Sequence, residues 1–381
     1  MSKLLGKKLV ICANHSFPHV GGSERVIQQI AEIMCEEGMN CYILSKSSQM
    51  RDIKHNSVFI SGCGMSYIQF KNKIENIKPD FMLIYSDYFV HWPSILKDIS
   101  SFNFPIVLIP VGFNATLGSS DLMTQLVKWH KNLHFITHSD NYQDYRLCKK
   151  MNIPVTVIPN GIDLREFDRS KYNNKENIHF VKKKYKIDSK NIVLCVSNFF
   201  PGKGQEFLPP IMRGVLSYAQ DTYFVVLCSS VSFHYAQFLR KRFKAEIRKN
   251  NLPCKVLVDI QREHVVRFFF ASDVFVFPTQ KEVAPLVVLE AMASLTPWVA
   301  MPVGNIKRLS GGAIINRFNK NSNAYLTYNP DTYADFISAI STLLLDDSLR
   351  EKTALAGYNK IVKELNWNAI GEKYKNFFSS L

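Results

Sequence analysis

Unbroken apolar runs alternate along this chain with segments whose apolar residues recur every three or four positions. The first run, Lys8-Leu9-Val10-Ile11-Cys12-Ala13, is apolar at odd and even positions alike, which predicts a strand buried on both faces of a parallel sheet. A loop with Gly21-Gly22 follows, and from Glu24 the residues Val26, Ile27, Ile30, Ile33 and Met34 fall at helical spacing. Cys41-Tyr42-Ile43-Leu44 reads as the next strand, completing a βαβ unit. Further strands are predicted at 80–85, 106–109 and 134–137. Such alternation marks an α/β domain with a mainly parallel sheet.

The pattern breaks at Leu164–Lys190, a polar stretch with nine Lys/Arg and four Asp/Glu, read as a boundary or a surface insertion. A second series of strands then starts at Asn191–Val196 and continues at 223–227, 256–258, 274–277 and 297–300. The intervening helix His234–Asn250 sets Tyr235, Phe238, Leu239, Phe243 and Ile247 on one side, expected to face the core, with Lys and Arg crowding the solvated remainder; a membrane-surface role is the alternative for it. The tail from Trp367 is a helix whose stripe of Trp367, Ile370, Tyr374, Phe377 and Phe378 must be buried somewhere. Two Rossmann-like α/β domains in tandem are therefore expected. Facing each other they would form a central cleft, with ligands at the carboxyl ends of the strands.

The 381 residues suit two domains, and 46% apolar content supplies ample core. Lys+Arg exceed Asp+Glu by 47 to 32, a net charge of +15, which points to an anionic partner: nucleotide phosphates, an anionic membrane surface or nucleic acid. Nucleic acid is set aside because no helix-turn-helix, zinc finger or aromatic RNP-like motif is present. No apolar run approaches a membrane span, and the run at 9–13 is too short for a signal-peptide core. None of the eight cysteines forms a Cys-x-x-Cys, so a cytoplasmic location is expected, with peripheral attachment to the cytoplasmic face of the inner membrane.

The densest chemical signal is Ser272–Ala293. A buried strand ends at Pro278, a loop carries Glu282, and a helix begins near Leu286 with Glu290 about one turn inside. Backbone N–H groups at Leu286 and Val287 can hold an anion. Glu282 can accept hydrogen bonds from sugar hydroxyls near that anion, and Glu290 can take two hydroxyls of a ribose. Seven residues separate the two glutamates.

This Glu-x7-Glu stretch, running into Val287-Val288-Leu289-Glu290-Ala291-Met292-Ala293, resembles the retaining GT-B glycosyltransferases of the GT4 family. Val20–Arg25 resembles the family's N-terminal glycine loop, with Gly22 in it. Val157–Asp163 resembles its interdomain motif, and Val196–Gln205 its phosphate loop. The resemblance covers essentially the whole chain. It implies an acceptor domain at 1–165, a nucleotide-sugar domain at 166–363, and a terminal helix at 364–381 crossing back to the first. It further implies transfer of a sugar from a UDP- or GDP-linked donor to a glycan or lipid-linked acceptor, as in cell-envelope polysaccharide or glycoconjugate synthesis, without a metal. Within the phosphate loop Lys203 would grip the donor diphosphate. The Arg usual five residues earlier is replaced by Asn198; Arg25, Arg262 or Lys281 could substitute. Where members often carry a His after the fourth strand of the first domain, this chain has Val111, leaving Asn114 and His138 as catalytic candidates beside Lys203 and Glu282.

Other readings remain at this point. Glu282 and Glu290 could be solvated carboxylates favoured by a helix start, Lys203 a surface lysine and His138 a satisfied strand-end residue. A nucleotide-sugar epimerase on the same fold would need an acid/base pair, and none stands out. A non-catalytic anion-binding or nucleic-acid-binding protein is permitted by charge alone. A dinucleotide oxidoreductase is disfavoured, since no Gly-x-Gly-x-x-Gly follows the first strand.

Overall fold

The computed structural model describes residues 3–18, 21–46, 52–62, 67–85, 102–111, 132–230, 234–320 and 326–381. They divide into two compact units, Met1–Asn160 with Trp367–Leu381, and Gly161–Asn366.

In chain order the first unit contains β1 (Lys8–Ala13), α1 (Gly22–Glu36), β2 (Asn40–Ser45), β3 (Ile53–His55), β4 (Val58–Gly62), α2 (Tyr67–Ile77), β5 (Phe81–Tyr85), β6 (Ile106–Ile109), β7 (Leu133–Thr137), α3 (Gln143–Lys150) and β8 (Val155–Val157). Its sheet runs β3-β4-β2-β1-β5-β6-β7-β8, reversing direction of growth between β1 and β5. Every neighbouring pair is parallel except the β3–β4 hairpin. That hairpin turns on Asn56 and Ser57, both at positive φ (46° and 69°), as a tight two-residue turn requires. Asn-Ser is a weaker turn signal than Asn-Gly, so alternation alone did not announce it. Val10, Cys12, Leu44, Met82, Ile84, Leu108 and Phe135 belong to one buried apolar cluster.

The second unit contains α4 (Arg169–Tyr172), α5 (Lys175–Tyr185), β9 (Asn191–Val196), α6 (Leu208–Tyr218), β10 (Thr222–Cys228), α7 (His234–Lys249), β11 (Cys254–Val258), α8 (Arg262–Ala271), β12 (Val274–Phe277), α9 (Leu286–Ala293), β13 (Trp298–Ala300), β14 (Gly312–Ile314), β15 (Asn319–Lys320), β16 (Leu326–Thr327), α10 (Pro330–Leu345) and α11 (Asp347–Lys360). Its main sheet is wholly parallel, in the order β11-β10-β9-β12-β13-β14, and reverses between β9 and β12. This is the doubly wound order, in which the crevice beside the reversal is the favoured ligand position.

The polar stretch 164–190 departs from its reading as an insertion. It folds into α4 and α5 against α8, with Tyr172 and Val181 buried and the rings of Phe167 and Phe269 6.1 Å apart. Asn174 caps α5, its side chain accepting from Asn177 N at 2.8 Å. The buried anchors are too sparse among the lysines to show as a period.

The last helix, α12 (Trp367–Ser380), packs in the first unit. Trp367, Ile370, Tyr374 and Phe378 are buried, and Phe378 meets Phe81 edge-on at 5.5 Å. Gly371 lies close against Ile33 of α1, and Lys375 pairs with Glu37 at 2.7 Å. Full burial of each large apolar side chain contributes about 1.5–3 kcal/mol, enough to hold a helix that follows a separate unit in the chain. Among the described residues, no helix is long and apolar enough to cross a membrane.

Candidate functional site

The reversal in the second sheet puts β9 beside β12, with Val274 opposite Val193 and Phe275 opposite Leu194. Their following loops therefore leave the same edge side by side. The loop after β9 folds on itself: Lys203 N donates to Phe200 O at 3.1 Å, while the Gln205 side chain donates to Ser197 O and Asn198 O at 3.0 and 2.9 Å. It is then tied to the loop after β12. Gly202 O accepts from Gln280 N at 2.8 Å and from Thr279 Oγ1 at 3.1 Å.

Gly204 makes this junction possible. Its φ is +80°, and a Cβ there would stand 2.0 Å from Pro278 O. Any other residue would push the loops apart or strain the backbone. A second glycine, Gly304 at φ +51°, braces the Glu282 loop from below: a Cβ would stand 2.0 Å from Val283 O, which also accepts from Asn305 N at 3.0 Å. The sequence reading passed over Gly304, although Pro302-Val303-Gly304-Asn305 is a turn signal.

The two loops deliver Lys203 Nζ to Glu282 Oε1 as a direct, partly buried ion pair. Four residues beyond Glu282, α9 begins at Leu286; its N-cap is Pro285, which has no side-chain acceptor to offer. The helix thus starts without a side-chain cap, its positive end four residues along the chain from the glutamate that pairs with Lys203. Glu290, one turn further, is 2% exposed. Arg262 Nη2 donates to Glu290 Oε1 at 2.6 Å, and the same guanidinium donates to both oxygens of Glu166 at 2.7 and 3.0 Å. Arg262 also stacks over the Phe167 ring at 5.4 Å. Burial works against its charge, but the fields of Glu290 and Glu166 outweigh that and hold its pKa above the ordinary arginine value. The Glu166–Arg262–Glu290 relay was not foreseen. Arg262 had been considered as a cation for the diphosphate, whereas the fold sets it between two carboxylates.

Asn198, in the position expected to hold a cation, has a different task here. Its Oδ1 accepts from Ser229 N at 2.8 Å and ties the β9 loop to the end of β10.

Gly22 and His138 lie in the first unit. Gly22 opens α1, directly after the N-cap Gly21. His138 is 2% exposed, with Nδ1–H donating to Ile158 O at 2.9 Å and Nε2 accepting from Tyr85 Oη at 3.2 Å. Burial lowers its pKa to about 4 despite the backbone contact, so the ring is neutral near pH 7. Both nitrogens are engaged, so in this arrangement the ring bridges the end of β7, the 158 loop and β5. Val111, at the end of β6, takes a left-handed backbone (φ 43°), uncommon for a β-branched residue. Asn114 lies outside the described residues.

Comparisons with known proteins bear on the family and the fold. Residues 174–360 match the family described as Glycosyl transferases group 1. The chain is similar to the sulfoquinovosyl transferase SQD2 of Arabidopsis thaliana, at 30% identity over 136 residues, which span 35% of this chain and 25% of that protein. It is also similar to a GDP-mannose-dependent monoacylated alpha-(1-6)-phosphatidylinositol monomannoside mannosyltransferase of Corynebacterium glutamicum, at 25% identity over 231 residues (58% of this chain, 55% of that one). The matches thus span between a quarter and just over half the length of these curated relatives. Among solved structures, Anabaena Alr3699/HepE in complex with UDP and glucose superposes with a TM-score of 0.75 at 14% identity, covering 98% of this chain and all of that one.

Proposed function

We propose that this chain, which belongs to the group 1 glycosyl transferases through residues 174–360 and has the GT-B fold, transfers a sugar from a nucleoside-diphosphate donor to a hydroxyl of a glycan or lipid-linked acceptor. One observation carries the reading: Lys203 pairs with Glu282 where the loops after β9 and β12 leave the reversal of the second sheet, and the uncapped start of α9 follows four residues later, with Glu290 buried one turn along that helix. The donor is assigned to the second unit and the acceptor to the first.

Breaking the bond between the anomeric carbon and the diphosphate oxygen leaves growing negative charge on that oxygen. The α9 N–H groups at Leu286 and Val287 are held by the helix before the donor arrives and stabilise the charge without reorganising, and Lys203 adds its charge once it exchanges its carboxylate partner for the phosphate. The incoming phosphate competes with Glu282 for Lys203, freeing the Glu282 carboxylate to accept hydrogen bonds from the sugar. Glu290 receives the ribose hydroxyls, and Arg262 fixes its orientation. In a retaining transfer the acceptor oxygen bonds to the anomeric carbon on the face the diphosphate leaves. The departing phosphate oxygen takes the acceptor's proton, so neither a side-chain base nor a metal is called for. The Anabaena structure contains UDP, and the Corynebacterium relative is GDP-mannose-dependent; these support UDP or GDP as the donor nucleotide.

A thermal-shift screen of UDP, GDP and their sugars tests the reading. A ligand at about a hundred times its Kd stabilises the folded state by about 2.7 kcal/mol. One nucleotide class should raise Tm by several degrees, and Glu290→Ala should remove most of that rise. Absence of a shift with every nucleotide, or a full shift in the variant, would overturn the assignment.

A further inference from the structure

The helix α7 departs from its expected orientation. Ala236, Phe243 and Ile247 are buried, but Tyr235 and Phe238 are 48% and 54% exposed, their rings stacked at 6.1 Å. At about 100° per residue, the exposed positions Tyr235, Phe238, Lys241, Arg242, Arg248 and Lys249 share one outward arc, with His234 and Ala245 completing it. The aromatic pair occupies the first turn and the four cations the rest. The helix has a single acid, Glu246, at the edge of this arc, where it accepts from Asn250 Nδ2 at 2.8 Å and faces Arg213 at 3.7 Å.

We propose that the outward face of α7 docks on an anionic lipid bilayer. Charge complementarity selects this occupant: four cations and no acid lie on the outward arc of the helix, the nearest acid from another element being Glu206, whose charge Arg242 offsets, and two exposed rings of the kind that settle at headgroup depth stand beside them. A protein partner would accept the two rings and the two arginines but would place Lys241 and Lys249 in an interface, where lysine is depleted. A single-stranded nucleic acid calls for a groove with rings spaced along it for successive bases, whereas here both rings sit at one end of a lone helix. Because Phe243 and Ile247 anchor α7 to its own unit, it lies on the surface and only the two rings enter. The inference rests on the lipid-linked acceptor reading for its purpose. Its test concerns membrane binding alone, so it and the donor assignment can fail separately.

The test is sedimentation of the full chain with vesicles of phosphatidylcholine, with and without about one-third phosphatidylglycerol, near physiological salt. Wild type should partition at least about tenfold more strongly onto the anionic vesicles. Each cation near such a surface is worth about fivefold, so Lys241→Glu/Lys249→Glu should lose at least about 25-fold. Tyr235→Ser/Phe238→Ser should lose about tenfold while keeping the salt dependence. Melting temperature and nucleotide binding check each variant's fold, and the aromatic pair stands as the second measurement if charge reversal fails to fold. Equal or absent binding of wild type to both vesicles would overturn the proposal. So would unchanged partitioning in the folded variants, or displacement of the protein from vesicles by a random oligonucleotide at the same salt.

Discussion

The two main sheets, one wholly and one mainly parallel, grow outward from a reversal in the same way, β1 beside β5 in one and β9 beside β12 in the other, yet they carry different chemistry at their carboxyl ends. In the second unit the loops beyond β9 and β12 pair a lysine with a carboxylate that remain partly exposed, four residues before an uncapped helix start. In the first unit the titratable residue beyond β7, His138, is enclosed and neutral, joined to Tyr85 and a backbone carbonyl. A shared topology thus supplies two platforms. Loop geometry makes one of them a charged ligand site, while the described part of the other uses its polar residue to hold strands and loops together.

The largest effect that would sharpen this contrast comes from Lys203→Ala. It should lower kcat/KM for sugar transfer by about a hundred- to a thousandfold, as loss of one charge-stabilising donor does, and change Tm little because the pair is partly exposed. A steady-state assay with a denaturation curve checks both halves; a large loss of stability with ordinary transfer would erase the distinction.

The next effect belongs to His138. Its folded pKa of about 4 lies below the ordinary 6.5, so between those values the unfolded chain binds a proton that the folded chain refuses. That contribution is complete above about pH 6.5 and is lost as the pH falls toward 4, at about 3 kcal/mol in all. Denaturant titrations from pH 7 to 4.5 should show this decline in wild type and a flatter one in His138→Gln, with nucleotide binding at pH 7 unchanged. If the variant instead retained stability and lost transfer, the ring would belong with the chemistry.

The smallest effect is expected at Asn198. Asn198→Ala removes the bond to Ser229 N and should cost about 1 kcal/mol of stability, with a change of no more than a few fold in donor affinity. A loss comparable to that of Lys203→Ala would show Asn198 to be a phosphate ligand after all.

Much of this arrangement could be read before any coordinates. Strands such as Asn191–Val196 and Val274–Phe277 are continuous apolar runs, and the α9 start at Leu286 follows from a strand, a proline and a loop in succession. Glu282 and Glu290 stood out because each sits at a short distance from the start of that helix, and Lys203 through the resemblance of Val196–Gln205 to a family phosphate loop. The hairpin at 53–62 and the helices within 164–190 did not, since their turn residues and sparse buried anchors leave little periodic trace. The orientation of α7 was misjudged for a related reason: the spacing of Tyr235, Phe238 and Phe243 is helical, but which part of the wheel meets the sheet is decided by the neighbours.

By itself, then, the order of residues determined the elements, their tandem repetition and the loops that carry charge, because these depend on neighbours a few positions apart. Only the tertiary structure decided that Lys203 meets Glu282, 79 positions away, and that Arg262 stands between Glu166 and Glu290. Those pairings follow from which strands lie side by side and from glycines that let backbones touch, and the many distant contacts that set them must be satisfied together.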